Sequence, residues 1–299
     1  MKRRAALIAN PKAGQAGSRE RTETIDRFLR LMKERGFDVE LCLTQGPRDA
    51  TRLAAQAARE GFRDVIVSGG DGTINEALQG LVGTGARLLA WPRGTANVLG
   101  RELRMPRRLE TLADVFAAGK VQRAFAACAT SETTGERRYF LLMAGIGLDA
   151  AIVDRVRPAL KKRLGKAAFW YSGWESLTRW KPTPFALEID GKTRSGTFAA
   201  LGRTPRYGGN LAITPRARLD RPDFEVCLID AAERRRYLKL LPFALFGGMP
   251  ATLKGVSFYD APVARATGEG VLVQADGELI GSLPMSFAVT SEVIEVVTR

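Results

Sequence analysis

Residues Asp64–Leu81, DVIVSGGDGTINEALQGL, constrain the fold of this chain more than any other stretch. Asp64-Val65-Ile66-Val67 is a short apolar run rich in β-branched residues, the pattern of a buried parallel strand. It stops in the glycine loop Ser68-Gly69-Gly70-Asp71-Gly72-Thr73. Beyond the loop, Ile74, Ala77, Leu78 and Leu81 recur at helical spacing, so a helix with one buried face is predicted from about Thr73, with Thr73 as its N-cap. Strand, glycine loop and helix start together make phosphate-binding geometry. The glycines allow amides to point inward and a phosphate to come close, and the helix N-terminus favours an anion. Asp71 cannot attract phosphate itself. It reads as a metal ligand or as a base for an incoming hydroxyl, against the plainer alternative of an ordinary turn residue.

The first part of the chain alternates strands with helices. Ala5–Ala9 is a strand; Ile25, Phe28, Leu29 and Met32 form a helical stripe; Phe37, Val39, Leu41 and Leu43 alternate; Leu53, Ala54, Ala57 and Ala58 mark a second helix; and Arg87–Trp91 supplies a fourth strand. This order predicts an α/β domain with a doubly wound parallel sheet, whose ligands bind at the carboxyl ends of the strands. The loops at those ends are Asn10-Pro11-Lys12-Ala13-Gly14, Thr44-Gln45-Gly46, the central glycine loop and Pro92-Arg93-Gly94-Thr95-Ala96-Asn97.

From about Val121 the pattern changes to short alternating strands: Tyr139–Ala144, Phe185–Asp190, Phe198–Leu201, Leu211–Thr214, Phe224–Ile229, Val271–Ala275 and Met285–Val289. A mainly antiparallel β-sandwich is predicted for this part, with helical insertions at Phe169–Trp180 and Tyr237–Phe246 that either pack in a core or line a cleft for a lipid tail. The expected domains are thus residues 1–121 and 122–299. Gly145-Ile146-Gly147-Leu148-Asp149-Ala150 matches a dinucleotide-binding pattern, but the acidic residue expected ~20 positions later is missing. Asp276-Gly277, between apolar runs, is a strong hairpin signal.

The chain has no histidine, which excludes Ser-His-Asp and Cys-His sites and leaves carboxylates, Lys, Tyr and backbone amides for any chemistry. Cys42, Cys128 and Cys227 lack metal spacing and read as buried reduced thiols. The formal charge of +14 implies an anionic partner without choosing among nucleotide, nucleic acid and acidic membrane. Clusters such as Arg101, Arg104, Arg107 and Arg108, Lys161, Lys162, Arg163 and Lys166, or Arg234, Arg235 and Arg236 read as solvated faces. No apolar stretch reaches the ~20 residues that span a bilayer, and the N-terminal one is too short for a signal peptide, so a cytoplasmic location is expected.

Three motifs, NPxxG at Asn10, GGDGTxNE at Gly69 and PxGTxN at Pro92, resemble in kind and order the nucleotide site of the diacylglycerol kinase-like lipid kinases, which include the sphingosine kinases and are related to the NAD kinases. The resemblance spans nearly the whole chain, and the GxGxDA element at Gly145 matches the family's entry into its second domain. It implies an ATP- and Mg²⁺-dependent kinase that phosphorylates a hydroxyl of a lipid alcohol in a cleft between the domains. It also implies nucleotide contacts from Asn10, Thr44, Gly69, Gly70, Gly72, Thr73, Gly94, Thr95, Asn97 and Glu278, and catalytic roles for Asp71, as metal ligand, and Asp276, as base, with the reversed assignment of the two as the alternative. The implied partners are a lipid substrate and anionic phospholipid at the inner membrane surface, where the protein is expected to bind peripherally. Nucleic acid is not among them, since no module with a recognisable signature occurs. An NAD kinase-like enzyme or a catalytically inactive nucleotide-binding protein is the alternative.

The chain departs from the family pattern in three places. Val98 follows Asn97 where many members carry Asp, and Arg123-Ala124-Phe125 stands where many have an acidic residue. Asp220-Arg221-Pro222 replaces an Asp-Asp-Gly associated with a structural Mg²⁺.

Overall fold

The structure is a computed structural model that describes residues 2–14, 17–155, 180–207, 211–246, 248 and 253–299. It divides into one unit of Met1–Phe125 with Glu292–Arg299 and a second of Ala126–Ser291. The end of the chain thus groups with the first unit.

In the first unit, β1 (Arg3–Ala9), β2 (Phe37–Leu43), β3 (Asp64–Gly69) and β4 (Arg87–Pro92) form a parallel sheet in the order β2-β1-β3-β4. Glu295 and Val296, from the end of the chain, extend it in parallel beside Arg87 and Leu88. Helices α1 (Ser18–Glu34), α2 (Asp49–Arg59), α3 (Asp71–Leu81), α4 (Val98–Glu102) and α5 (Leu109–Ala118) connect or flank the strands. Strand β3 is buried along its whole length, as its unbroken apolar run requires. Behind the glycine loop, α3 and α2 pack backbone to backbone: a Cβ on Gly80 would lie 2.3 Å from the Thr51 carbonyl oxygen. The Thr51 hydroxyl also donates to the Glu76 carbonyl at 2.7 Å.

The second unit is the predicted sandwich. One sheet holds β5 (Val121–Ser131), β6 (Arg137–Phe140), β8 (Phe185–Ile189), β9 (Lys192–Gly196), β15 (Val263–Thr267) and β18 (Met285–Val297). The other runs β14-β13-β10-β7-β16-β17, where β7 is Met143–Gly147, β10 Phe198–Gly202, β13 Phe224–Ile229, β14 Val256–Ala261, β16 Leu272–Ala275 and β17 Glu278–Ser282. A short hairpin of β11 (Arg206–Tyr207) and β12 (Leu211–Ala212) stands apart. Phe140, Ile146, Leu187, Leu201, Phe224, Val273 and Phe287 fill the space between the sheets. On the outer side of the second sheet, Met143, Phe198, Cys227 and Val256 pack with Leu148 of α6 (Leu148–Arg155) and with Tyr237 and Leu240 of α7 (Arg234–Phe246).

Several local expectations need correction. Helix α3 starts at Asp71 with Gly70 as N-cap, two residues before Thr73, because the Ile74 amide already reaches the Gly70 carbonyl. The strand expected over Tyr139–Ala144 is broken between β6 and β7, since the amides of Leu141, Leu142 and Met143 turn to the Asp276 carboxylate. Gly145 and Gly147 lie within antiparallel β7 and form no dinucleotide loop. The final strand runs to Val297, and only Leu211–Ala212 of Leu211–Thr214 is extended. Cys128 and Cys227 are buried and reduced, while Cys42 is only half-buried. The expected insertion at Phe169–Trp180 falls outside the described residues except for Trp180, which is buried against the Tyr237 ring.

Candidate functional site

The carboxyl ends of β1, β3 and β4 bring three of the predicted loops together at the start of α3. The Asn10 amide donates to the Ser68 carbonyl at 2.9 Å, and the Asn10 side-chain Nδ2 donates to Thr73 Oγ1 at 3.1 Å. Its Oδ1 accepts from the Lys12 amide at 2.9 Å, closing a local turn. From the other side, the Arg93 amide donates to the Gly69 carbonyl at 2.7 Å. A Cβ on Gly94 would stand 2.6 Å from the Gly70 Cα, so position 94 requires glycine for the two loops to touch. A Cβ on Gly69 would strike the Thr73 side chain at 2.5 Å.

Asn97 fastens the third loop. It adopts the left-handed conformation at φ 49°, its Oδ1 accepts from the Gly94 amide and its Nδ2 donates to the Gly94 carbonyl, both at 2.7 Å. Thr44 lies on the same sheet edge, its amide bound to the Ala9 carbonyl at 3.0 Å, and Gly72 lies in the first turn of α3. Thr95 is exposed at the tip of its loop.

At this helix start the backbone supplies an anion site. The first-turn amides of α3 have no acceptor four residues back, and the N-cap, Gly70, has no side chain to cover them. Asp71 sits in that turn, largely buried, with Oδ1 accepting from the Leu99 amide at 3.4 Å. Burial drives its pKa up; the amides of Leu99, Val98 and Asn97 and the charge of Arg101 pull it back down. The result is a partly desolvated carboxylate beside the open amides of the α3 start. Arg93, which the sequence reading passed over, is half-buried above the Trp91 ring at 5.4 Å in the same loop system.

In the second unit, Asp276 and Gly277 form a two-residue β16–β17 turn with φ 49° and 84°, the left-handed pair of a type I′ hairpin. The turn has a second role. Asp276 is 8% exposed, and its carboxylate accepts from the amides of Leu141 at 3.0 Å, Leu142 at 2.9 Å and Met143 at 3.0 Å. Three backbone amides fix the carboxylate in place. Glu278, one residue past the turn, is ion-paired with Arg138.

Asp149, within the GxGxDA element, is not singled out by sequence reasoning as a titratable group. It is buried, accepts from Gln274 Nε2 at 2.5 Å, and Gln274 Oε1 accepts from the Gly277 amide at 2.7 Å, so it is wired to the turn that carries Asp276. Burial pushes its pKa up to about 7 against the pull of the Gln274 hydrogen bond. The available signal was Gly145, four residues before it, where a Cβ would come within 2.1 Å of Asp149 Oδ2.

No cluster of three or more His, Cys, Asp or Glu among the described residues could hold a metal unaided. A Mg²⁺ ion fits Asp71 only as one carboxylate supplementing nucleotide phosphates, a common arrangement for this cation. Also among the described residues, no helix is long and apolar enough to cross a membrane.

Comparison with known proteins agrees with this geometry. Residues 4–129 match the diacylglycerol kinase catalytic domain, and residues 143–298 match the YegS C-terminal NAD kinase beta sandwich-like domain. A protein of Mycobacterium tuberculosis named diacylglycerol kinase is 28% identical over 293 residues, covering 97% of this chain and 93% of its own length. One of Staphylococcus carnosus with the same name is 28% identical over 302 residues, covering 100% and 96%. The fold is shared with the crystal structure of a diacylglycerol kinase from Bacillus anthracis str. Sterne, at TM-score 0.74 and 19% identity over 99% of this chain and 97% of that one. Another crystal structure from the same organism gives TM-score 0.79 at 22% identity, covering 99% and 98%.

Proposed function

The chain belongs to the family that joins a diacylglycerol kinase catalytic domain to a YegS-type C-terminal β-sandwich, and we propose that it transfers the γ-phosphate of ATP to a hydroxyl of a lipid alcohol. The observation that carries this reading is the meeting of three separate loops at the start of α3, through the Asn10–Thr73 hydrogen bond and the contact of Gly70 with Gly94. Any one of these loops alone is a turn; joined, they form a nucleotide cradle.

In this reading Asn10, Thr44, Gly69, Gly70, Gly72, Thr73, Gly94, Thr95 and Asn97 hold ATP, with the phosphates against the open amides of α3. Bound Mg²⁺, held by Asp71 and the phosphates, neutralises charge on the transferring group. Phosphoryl transfer asks the protein mainly for positioning and charge compensation, and the nucleophile needs a carboxylate to orient it more than a strong base. Asp276, its carboxylate fixed by three backbone amides, is the proposed candidate for that orienting role, and Glu278 the candidate for a further nucleotide contact. The lipid is drawn from an anionic membrane surface, where the protein binds peripherally.

The test is transfer of labelled γ-phosphate from Mg-ATP into a mixed lipid extract in detergent micelles, with NAD as a parallel acceptor. Labelled lipid that vanishes in Asp71→Asn supports the reading. Labelled NADP would replace it with an NAD kinase, and saturable ATP binding without transfer would leave a nucleotide-binding protein.

A further inference from the structure

The second unit buries a full positive charge in its interior. Arg203, just after β10, is 0% exposed. Its guanidinium donates to three backbone carbonyls of a single loop: Leu219 at 2.9 Å, Arg221 at 2.6 Å, and Asp223. Burial lowers its pKa to about 10, with Asp223 and Asp220 favouring the charged form, so the group stays cationic at neutral pH. A charge in such a place persists only where acceptors surround it, and here the loop backbone provides them.

This is the loop at which family resemblance implies a structural Mg²⁺, and its donors do not fit that ion. Both oxygens of Asp220 are taken by Arg218, Nε at 2.9 Å and Nη2 at 2.7 Å. Asp223 is paired with Arg221, and Glu225 with the amide and the guanidinium of Arg216 at 2.5 and 2.7 Å. Mg²⁺ requires a near-octahedral set of oxygens at ~2.0–2.1 Å, whereas a guanidinium is a planar fork of N–H donors suited to carbonyls at ordinary hydrogen-bond distance. A divalent ion added to the same carbonyls would also face the charge already there.

We propose that the Arg203 guanidinium takes the place of the structural metal, so that residues 219–223 are organised, and the second unit stays folded, without a divalent cation. The arginine links the strands on either side of it: β10 ends at Gly202, which pairs with Glu225 of β13, and the loop it grips leads directly into β13. No substrate enters this inference, so it stands or falls apart from the kinase reading.

The test uses the nucleotide-free full chain. Thermal unfolding is followed after exhaustive EDTA dialysis and again in excess MgCl₂, with elemental analysis of the dialysed protein. Unchanged Tm and no retained magnesium are expected. Arg203→Met should lower Tm by on the order of 10 °C, with no recovery in MgCl₂, because it strands buried carbonyls. Arg203→Lys, which keeps a charge but loses the fork, should fall between the two. A stoichiometric magnesium surviving dialysis, a fall in wild-type Tm on EDTA treatment, or an Arg203→Met protein as stable as wild type would each overturn the proposal. If Arg203→Met cannot be obtained folded, the wild-type measurements and Arg203→Lys still decide.

Discussion

At the scale of single residues, two carboxylates, Asp71 and Asp149, sit in different environments and should behave differently. Asp71 is desolvated, so its folded-state pKa lies above the ordinary 3.8 and ionising it opposes folding. Stability from this group falls as pH rises from that ordinary value through the raised one, and above the raised one the cost is fully present. Asp71→Asn removes the charge with little change in shape. The expected outcome is phosphate transfer lowered by about 100-fold or more, with a Tm equal to or above wild type. A variant that lost activity together with several degrees of Tm would show that the residue mainly holds the fold. Asp149 gives the pH dependence. Its pKa is pushed from 3.8 to about 7, so the unfolded chain releases this proton long before the folded one does. Stability should therefore decline as pH rises between those two values, by at most about 1.4 kcal/mol per pH unit, and level off above. In Asp149→Asn that decline should be missing: the variant gains Tm relative to wild type between about pH 4.5 and about pH 8, as read by thermal melts across the range.

At the scale of elements, much of the fold was legible because its strands and helices carry clean periodicities. β3 is buried at every position, as its apolar run predicts, and Ile74, Ala77, Leu78 and Leu81 of α3 face inward. What the sequence could not show was hydrogen bonding between segments distant along the chain. The break between β6 and β7 depends on Asp276, more than 130 residues later, and nothing in Leu141-Leu142-Met143 announces it. Arg203 looks like any strand-end arginine until its three carbonyl partners are seen. The glycine motifs were legible as motifs, yet their spacing does not say which glycines touch. The structure answers that for Gly94, whose missing side chain admits Gly70. Gly94→Ala should therefore push the two loops apart and weaken ATP binding at least about 10-fold, read by calorimetry, while the β-sandwich keeps its melting behaviour. Retained ATP affinity in this variant would mean that contact between the loops is not what forms the cradle.

At the scale of the whole molecule, a charge of +14 must be reconciled with the proposed work on a lipid at a membrane. Basic residues near an anionic bilayer contribute about 1 kcal/mol each, within roughly 8–10 Å at physiological salt. Surface charge alone would also attract nucleic acid, so the discriminating feature has to be apolar. Helix α7 supplies it: Leu238 and Phe243 are 40% and 43% exposed, beside the exposed basic residues Arg235 and Lys239. On the proposed membrane reading, electrostatic attraction would bring such a face to the surface, and burial of the two side chains in the interface would hold it there at about 25 cal/mol per Å² of apolar area. The expected result in vesicle sedimentation is binding to anionic but not to zwitterionic vesicles, weakened steeply by salt. Leu238→Glu with Phe243→Glu should reduce binding further at constant salt, since the pair removes apolar contact and adds two like charges to the anionic surface. If the double variant binds vesicles as wild type does, attachment is purely electrostatic and α7 takes no part in it. If both proteins prefer duplex DNA to anionic vesicles at the same salt, the basic surface serves a different partner from the one proposed.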